Sequence, residues 1–168
     1  VSVCFKTSSN RFEAYVPDDS LFGAVKDVLV NQEYEYLSEF RPTNFAGKVV
    51  IDAGAHVGLF SLTVSPFAKL VLAIEPHPIN FKLLEINLLR NMTTNVQPVE
   101  AALWAKHGEI TLYSSTYSGS YSVFGSRDNR DTYHAKTITL HDIIARYGRI
   151  GLLKIDVEGA EFEIFRTI

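Results

Sequence analysis

The sequence predicts an α/β fold in which a mostly parallel, Rossmann-like sheet carries helices on both faces. From residue 47 onward, short apolar runs alternate with segments of helical periodicity. Such alternation implies parallel strands joined by right-handed helical crossovers. The first apolar run, residues 49–53, is followed by Gly54 and Gly58 and then by a potential helix. A strand, a tight turn and a helix in this order build a cofactor site at the carboxyl end of the strand.

The chain divides into a lead-in, residues 1–46, and a sheet domain, residues 47–168. Residues 1–17 alternate on either side of Ser8-Ser9-Asn10, which predicts a small hairpin. Two helical pieces should follow, one from about Leu21 and one over residues 33–40. We expect this lead-in to cover one end of the sheet or its cofactor.

The sheet domain should contain four parallel strands and one antiparallel insertion. We predict strands at 48–53, 70–75, 96–103 and 152–157, and helices that begin near 58, 78, 139 and 159. Residues 139–142 have the spacing of a capping box. Short β-like runs at 109–113, 121–124 and 135–140 indicate the insertion. Because the chain stops one short helix after the fourth strand, we expect the sheet to be C-terminally incomplete.

Composition excludes several classes of protein. The 168 residues include 46% hydrophobic and 21% charged residues, and the formal net charge is −3. This balance argues against a nucleic-acid surface, which would be basic. A single cysteine excludes a disulfide framework. No apolar run approaches the roughly 18 residues of a membrane span, and no signal peptide is visible, so a cytoplasmic location is expected.

Acids at the strand ends indicate which cofactor the glycine turn holds. The spacing of Gly54 and Gly58 does not match the G-x-G-x-x-G pattern of dinucleotide sites. Asp52, at the end of the first strand, would repel a pyrophosphate and would suit a cationic group. Glu75, at the end of the second strand, can accept hydrogen bonds from a ribose diol. Together they favour S-adenosylmethionine, which carries an ammonium and a sulfonium but no phosphate.

Weaker signals extend this site to the third strand. Glu100 and Ala101 are placed to meet the adenine, where a small residue can pack on the base and a polar neighbour can read its amine. A glutamate at a strand edge is more often simply solvated, so this pair alone would identify nothing.

The fourth strand delivers a cluster of charges. Lys154 and Asp156 share one face of the strand, and Glu158 and Glu161 follow around a glycine turn. Crowded carboxylates need a cation, a shared proton or open water. A helix N-terminus that favours acids accounts for the two glutamates but poorly for Asp156.

Three segments together resemble the FkbM-type S-adenosylmethionine-dependent methyltransferases. They are Val-Ile-Asp-Ala-Gly-Ala-His-Val-Gly at 50–58, Ile-Glu-Pro at 74–76 and Leu-Lys-Ile-Asp-Val-Glu-Gly-Ala-Glu at 153–161. The resemblance implies a class I methyltransferase fold and methylation of hydroxyls on sugars, polyketides or other secondary metabolites. It adds Ala55, His56 and Pro76 to the cofactor contacts. His56 stands where this family usually has Asn, at a position that requires positive φ.

Two carboxylates are our candidates for catalysis. A neutral hydroxyl is a poor nucleophile, and Asp156 and Glu158 lie where a small hydroxylated acceptor should approach, as base or orienting groups. Ligation of Mg²⁺ is their alternative role, although no His/Cys spacing supports a transition metal. His77, between two prolines, is expected to be a loop residue.

Two other functions stay open at this stage. One is a nicotinamide-dependent oxidoreductase, which the glycine spacing and Asp52 disfavour. The other is a module that binds S-adenosylmethionine without turnover. The sequence does not indicate an oligomeric state.

Overall fold

A computed structural model describes residues 1–6, 10–17, 38–114, 121–122, 132–157 and 159–166. The strands are β1 (Ser2–Lys6), β2 (Arg11–Tyr15), β3 (Val49–Ala53), β4 (Leu70–Ile74), β5 (Val96–Val99), β6 (Ala102–Leu103), β7 (Glu109–Ser114), β8 (Tyr121–Ser122), β9 (Thr132–Ile138) and β10 (Ile150–Ile155). The helices are α1 (Pro42–Phe45), α2 (Leu59–Val64), α3 (Pro78–Arg90), α4 (Leu140–Tyr147) and α5 (Glu161–Phe165), and Ser38–Phe40 forms a 3₁₀ turn.

The central sheet is parallel, as the alternation of elements predicted. Its four strands lie in the order β10-β3-β4-β5, and every neighbouring pair is parallel. The chain runs outward from β3 to β5 and then returns to place β10 on the other side of β3. The strand order therefore reverses between β3 and β10. In open α/β sheets, ligands bind outside the carboxyl ends of the strands at such a reversal.

Helices cover both faces of this sheet, which is why its strands are mostly apolar. Val50, Val71 and Ala73 belong to one core cluster with buried residues of α2 and α3. Ile51 and Leu72, which point the other way, pack with buried residues of α4 and α5. All of β3 is buried, the pattern expected of a parallel strand between two helical layers. No helix among the described residues is long and apolar enough to cross a bilayer.

The prediction of one continuous third strand over residues 96–103 is wrong. Residues 96–103 form two strands, β5 in the central sheet and β6 in a second sheet, where β6 pairs in parallel with β9. The chain turns at Glu100 and Ala101, where the Ala101 N–H donates to the carbonyl of Val99 at 3.0 Å. Pro98, Glu100 and the two alanines that follow have low β propensity, so the sequence of this segment is compatible with a break.

The predicted antiparallel insertion is confirmed. β7 pairs antiparallel with both β8 and β9, and the second sheet has the order β6-β9-β7-β8. The helix after it, α4, begins with the expected capping box: the Asp142 N–H donates to the Thr139 hydroxyl at 3.2 Å, and the Thr139 N–H donates to the Asp142 carboxylate at 3.2 Å. Gly148 follows the helix as its C-cap.

The N-terminal hairpin is also confirmed, and two asparagines dock it onto α3. β1 and β2 pair antiparallel. The Asn87 side chain accepts from the Tyr15 N–H at 2.6 Å and donates to the Tyr15 carbonyl at 2.9 Å. One helical turn later, Asn91 makes the same two bonds with Glu13, at 3.0 and 2.7 Å. These side-chain amides make the hydrogen bonds that a neighbouring strand would otherwise make with the outer edge of β2.

The rest of the lead-in is only partly described. The helix expected from about Leu21 lies outside the described residues, as does most of the one expected over 33–40. Its last residues form the 3₁₀ turn, and α1, which the sequence analysis did not predict, follows it with Pro42 in its first turn.

Asn87 should be a major contributor to stability. Its side chain is fully buried and also donates to the carbonyl of Val57 at 2.8 Å. The substitution Asn87→Asp keeps the shape but removes both donors and places a charge against two carbonyls. We expect the free energy of unfolding in urea to fall by about 3 kcal/mol, the scale for a buried polar group left without partners.

Asn91→Asp is the matched control for this prediction. The same chemical change occurs there at a half-buried position, where water can replace the lost bonds, so the loss should be clearly smaller. Equal losses for the two variants would contradict the assigned role of Asn87.

Candidate functional site

The carboxyl ends of β3 and β10 meet at Gly54. Gly54 has φ of 77°, and a Cβ there would clash with the main-chain oxygen of Asp156. The Asp156 N–H donates to the carbonyl of Ala53 at 3.0 Å, which holds the two strand ends together. Glycine is required here both by the left-handed backbone and by the close approach of the neighbouring strand.

The rest of the turn is shaped by similar constraints. The N–H groups of Gly54 and Ala55 both donate to the carbonyl of Ile74, each at 3.0 Å. His56 has φ of 53°, so it adopts the left-handed conformation that the sequence analysis required of it. Gly58 has φ of 86°, and a Cβ there would clash with the Leu84 side chain of α3.

A buried ion pair lies directly beneath this turn. Asp52 and Lys154 are register partners on β3 and β10, and the Lys154 Nζ lies 3.2 Å from the Asp52 carboxylate. The exposed fractions of the two side chains are 0% and 6%. The Ser61 hydroxyl of α2 donates to the other Asp52 oxygen at 2.7 Å, and the Lys154 ammonium donates to the Gly54 carbonyl at 2.8 Å.

This arrangement changes the electrostatic role of Asp52. Its carboxylate is fully buried and faces a cation supplied by the protein itself, so its charge is compensated before any ligand binds. Direct contact between Asp52 and a cofactor remains a prediction. The described geometry instead shows how Asp52 acts on the turn, through Lys154 and the Gly54 carbonyl.

Glu75 follows β4 and joins the turn to the start of α3. Its two carboxylate oxygens accept hydrogen bonds from the His56 N–H at 2.8 Å and the His77 N–H at 2.9 Å. Burial raises the pKa of Glu75 to about 7, against the lowering effect of these two bonds and of the Asn80 side chain. These three donors occupy three of the roughly four lone-pair sites of the carboxylate, so it can still accept from a ligand hydroxyl.

The residues after Glu75 form one wall of the site. Pro76 is half-buried, and His77 is the loop residue expected there, buried at the N-cap of α3. Burial lowers the pKa of His77. Its ring contacts Tyr133 of β9 edge-to-face, with ring centroids 6.0 Å apart. At the end of β5, Glu100 is exposed and Ala101 is buried.

The two described carboxylates that follow the fourth parallel strand each have a partner of opposite polarity. Asp156 has 62% of its side chain exposed and lies 3.7 Å from the Lys154 ammonium, which confirms that both residues share one face. Glu161 accepts from the Val157 N–H at 3.2 Å and so closes the turn before α5. Glu158 lies outside the described residues. Asp156 is therefore compensated by the Lys154 ammonium, and Glu161 by a main-chain N–H.

Four further residues belong to the site but were not assigned to it from the sequence. The sequence placed Lys154 on the same strand face as Asp156 but not in the site. A lysine within an otherwise apolar strand was the signal that could have assigned it. Ser61, His77 and Tyr133 carry no comparable signal, because each becomes significant only through a neighbour distant in sequence. Among the described residues, no group of three or more His, Cys, Asp or Glu side chains could hold a metal ion.

The family model of the FkbM methyltransferase domain matches residues 52–167. The chain belongs to this family. The match begins at the buried acid of β3 and runs past α5, so it includes the glycine turn, the insertion and β10. The central sheet with two helical layers is accordingly the α/β fold of class I methyltransferases, as the resemblance implied.

Two curated relatives are fungal methyltransferases. Methyltransferase sdnD of Sordaria araneosa is 28% identical over 155 residues, which cover 71% of this chain and 60% of the relative. Methyltransferase 1 of Beauveria bassiana (strain ARSEF 2860) is 23% identical over 169 residues, which cover 85% of this chain and 65% of the relative. The FkbM chain thus spans about two thirds or less of the length of these relatives. Among solved structures, the putative methyltransferase yhhF of Escherichia coli is 19% identical with a TM-score of 0.43, covering 61% of this chain and 53% of its own.

The cofactor of the FkbM family is S-adenosylmethionine, and the residues of this site fit it. Gly54 has no side chain to cover the backbone where the two strand ends meet, so a ligand can approach it. Glu75 keeps acceptor capacity for a ribose diol. The ammonium of Lys154 is paired with Asp52. The ammonium is therefore poorly suited to attract a pyrophosphate.

The ion pair can be tested with a double-mutant cycle. Lys154→Met leaves the Asp52 carboxylate buried without its cation, and we expect the free energy of unfolding to fall by about 3–5 kcal/mol. Asp52→Asn in the same chain removes the orphaned charge and should recover much of that loss. Additive effects of the two substitutions in urea denaturation would contradict the pairing.

Glu75 should make cofactor affinity depend on pH. Hydrogen bonds from ribose hydroxyls favour the ionised carboxylate, whereas burial in the free protein favours the protonated form, so binding releases a proton below about pH 7. We expect the Kd for S-adenosylmethionine to fall about tenfold from pH 6 to pH 8. Glu75→Gln should remove the part of this dependence that comes from Glu75; identical pH profiles by calorimetry would contradict the assignment.

Proposed function

We propose that this FkbM domain binds S-adenosylmethionine over the carboxyl ends of β3 and β4 and supports methylation of a hydroxyl group on a small molecule. One observation carries the proposal. At the reversal of strand order, Asp156 presents an exposed carboxylate 3.7 Å from the Lys154 ammonium, and its main chain packs against Gly54 of the cofactor turn. A base for the acceptor and a turn for the cofactor are thus adjacent.

The proposed cofactor contacts follow from the positions of the residues. The turn between β3 and α2 meets the methionine end, Glu75 and Pro76 meet the ribose, and the end of β5 meets the adenine. The full set of proposed contacts is Asp52, Gly54, Ala55, His56, Gly58, Glu75, Pro76, Glu100 and Ala101. Asp52 acts in this set through Lys154, because its own carboxylate is enclosed.

The catalytic task of the protein is alignment and proton removal. S-adenosylmethionine supplies an electrophilic methyl group on its sulfonium. The chain must hold an acceptor hydroxyl in line with that methyl and exclude water. Asp156, with Glu158 as the second candidate, accepts the hydroxyl proton as the oxygen attacks. Lys154 compensates the charge of Asp156 before the proton arrives.

The chemical class of the methyl acceptor and the cellular location of the protein are proposed on more general grounds. A sugar or secondary-metabolite hydroxyl is the acceptor class that the family resemblance favours. Neither the net charge of −3 nor the described helices support a nucleic-acid or membrane partner. A cytoplasmic location remains a prediction.

Asp156→Asn tests the proposal directly. S-adenosylmethionine, its demethylated product and NADH are titrated into the chain by calorimetry, and methyl transfer to a panel of hydroxylated small molecules is followed with labelled cofactor. The variant should bind S-adenosylmethionine as the wild type does, yet lose about 10²- to 10⁴-fold in kcat, the contribution of a general base. Glu163→Gln, a change at a half-buried position on α5, is the control and should leave kcat unaltered.

The possible outcomes separate the candidate functions. Binding of NADH in place of S-adenosylmethionine would contradict the proposed cofactor. Cofactor binding without transfer to any acceptor would favour a binding module without turnover. Full activity of Asp156→Asn would remove Asp156 from catalysis and leave the cofactor site intact.

A further inference from the structure

We propose that Tyr133, which the antiparallel insertion contributes, forms with His77 the wall against which the adenine of the cofactor stacks. This inference rests on the proposed function and adds a specificity-determining residue from outside the glycine turn and the strand ends. The insertion would then serve cofactor recognition as well as any contact with the acceptor.

His77 places this wall beside the ribose site. Its N–H donates to Glu75 at 2.9 Å, on the carboxylate proposed to hold the ribose diol. The imidazole is buried and therefore held in position. Burial also lowers the pKa of His77, so the ring is neutral near pH 7 and suits an uncharged base.

Tyr133 reaches the same place from the second sheet. It lies opposite Leu112 in the pairing of β7 with β9, and it packs against the small apolar cluster that contains Leu112, Ala102 and Ala135. Its phenol lies near the end of β5: burial, and after it the charge of Glu100, raises the pKa of Tyr133. The ring is half-buried, so part of its surface is available to a ligand.

The two rings suit a flat base. Their planes meet at 72°, with centroids 6.0 Å apart. A base stacked on one ring therefore turns its edge toward the other, an arrangement favoured between aromatic systems. Glu100 is exposed next to this corner, and its carboxylate can accept a hydrogen bond from the 6-amino group of adenine. A 6-oxo base would instead present an acceptor to that carboxylate, which should be unfavourable.

Cofactor binding by three variants of Tyr133 tests this inference. S-adenosylmethionine, S-adenosylhomocysteine and 5′-methylthioadenosine, which lacks the amino-acid end, are titrated into the whole chain by calorimetry. Tyr133→Ala and Tyr133→Leu should weaken all three ligands by a similar factor, roughly 5- to 150-fold, the range for loss of one base–aromatic stack. Tyr133→Phe keeps the aromatic face and should bind nearly as the wild type does.

His134→Ala is the matched control, since it changes the neighbouring exposed residue on the same strand. Tyr133→Leu retains apolar volume, so it keeps the test informative if Tyr133→Ala unfolds. Wild-type affinity in Tyr133→Leu would overturn the inference and leave the proposed function standing. A wild-type chain that binds none of the three ligands would instead refute the proposed function. A loss in Tyr133→Leu that is confined to the two ligands with an amino-acid end would also overturn the inference, because it would place Tyr133 away from the adenine.

Discussion

The buried ion pair between Asp52 and Lys154 is the interaction on which the site depends. Two opposite charges lie side by side on β3 and β10 at exposed fractions of 0% and 6%, where each alone would be strongly unfavourable. They are tolerated because Lys154 faces one oxygen of the carboxylate, Ser61 donates to the other, and the Gly54 carbonyl accepts a further hydrogen bond from the ammonium. A charged pair of this kind adds little net stability compared with apolar packing. It does restrict how β3 and β10 can be placed, and the turn and Asp156 depend on that placement.

Three acids at one edge of the sheet thus have three different environments. Asp52 is compensated by a cation, Glu75 is held by main-chain N–H groups, and Asp156 is open to solvent. Environment assigns different chemical tasks to similar side chains. In this site, the buried Asp52 positions the turn. Glu75, which keeps some hydrogen-bonding capacity, is suited to a neutral ligand group, and the exposed Asp156 is suited to accept a proton from the methyl acceptor.

Stability and function are connected through α3. Asn87 satisfies the edge of the N-terminal hairpin and also binds the carbonyl of Val57 in the glycine turn. The same helix begins at His77 beside Glu75, and its Leu84 lies against Gly58. A single helix therefore supports the hairpin at one end of its buried face and the proposed nucleoside site at its N-terminus. Loss of the hairpin contacts should loosen the turn as well.

The sequence by itself determined the order of elements and the position of the glycine turn, because both are local properties. These properties shape the backbone within a few residues of their own positions. They are the apolar runs, the helical periodicity, the capping box at Thr139 and the glycines at 54 and 58. The break at Glu100 escaped this reasoning, although Glu100 and the two alanines after it have low β propensity. Pairing with different strands divides residues 96–103 into β5 and β6.

Only the tertiary structure decided which acids are available for chemistry. Asp52 and Lys154 are 102 residues apart, and they become neighbours because β10 returns beside β3 in a parallel register. The contact between His77 and Tyr133 likewise depends on the fold of the insertion. Ionisation and exposure are set by neighbours in space, and a sequence pattern that identifies a strand end does not say what that end will face.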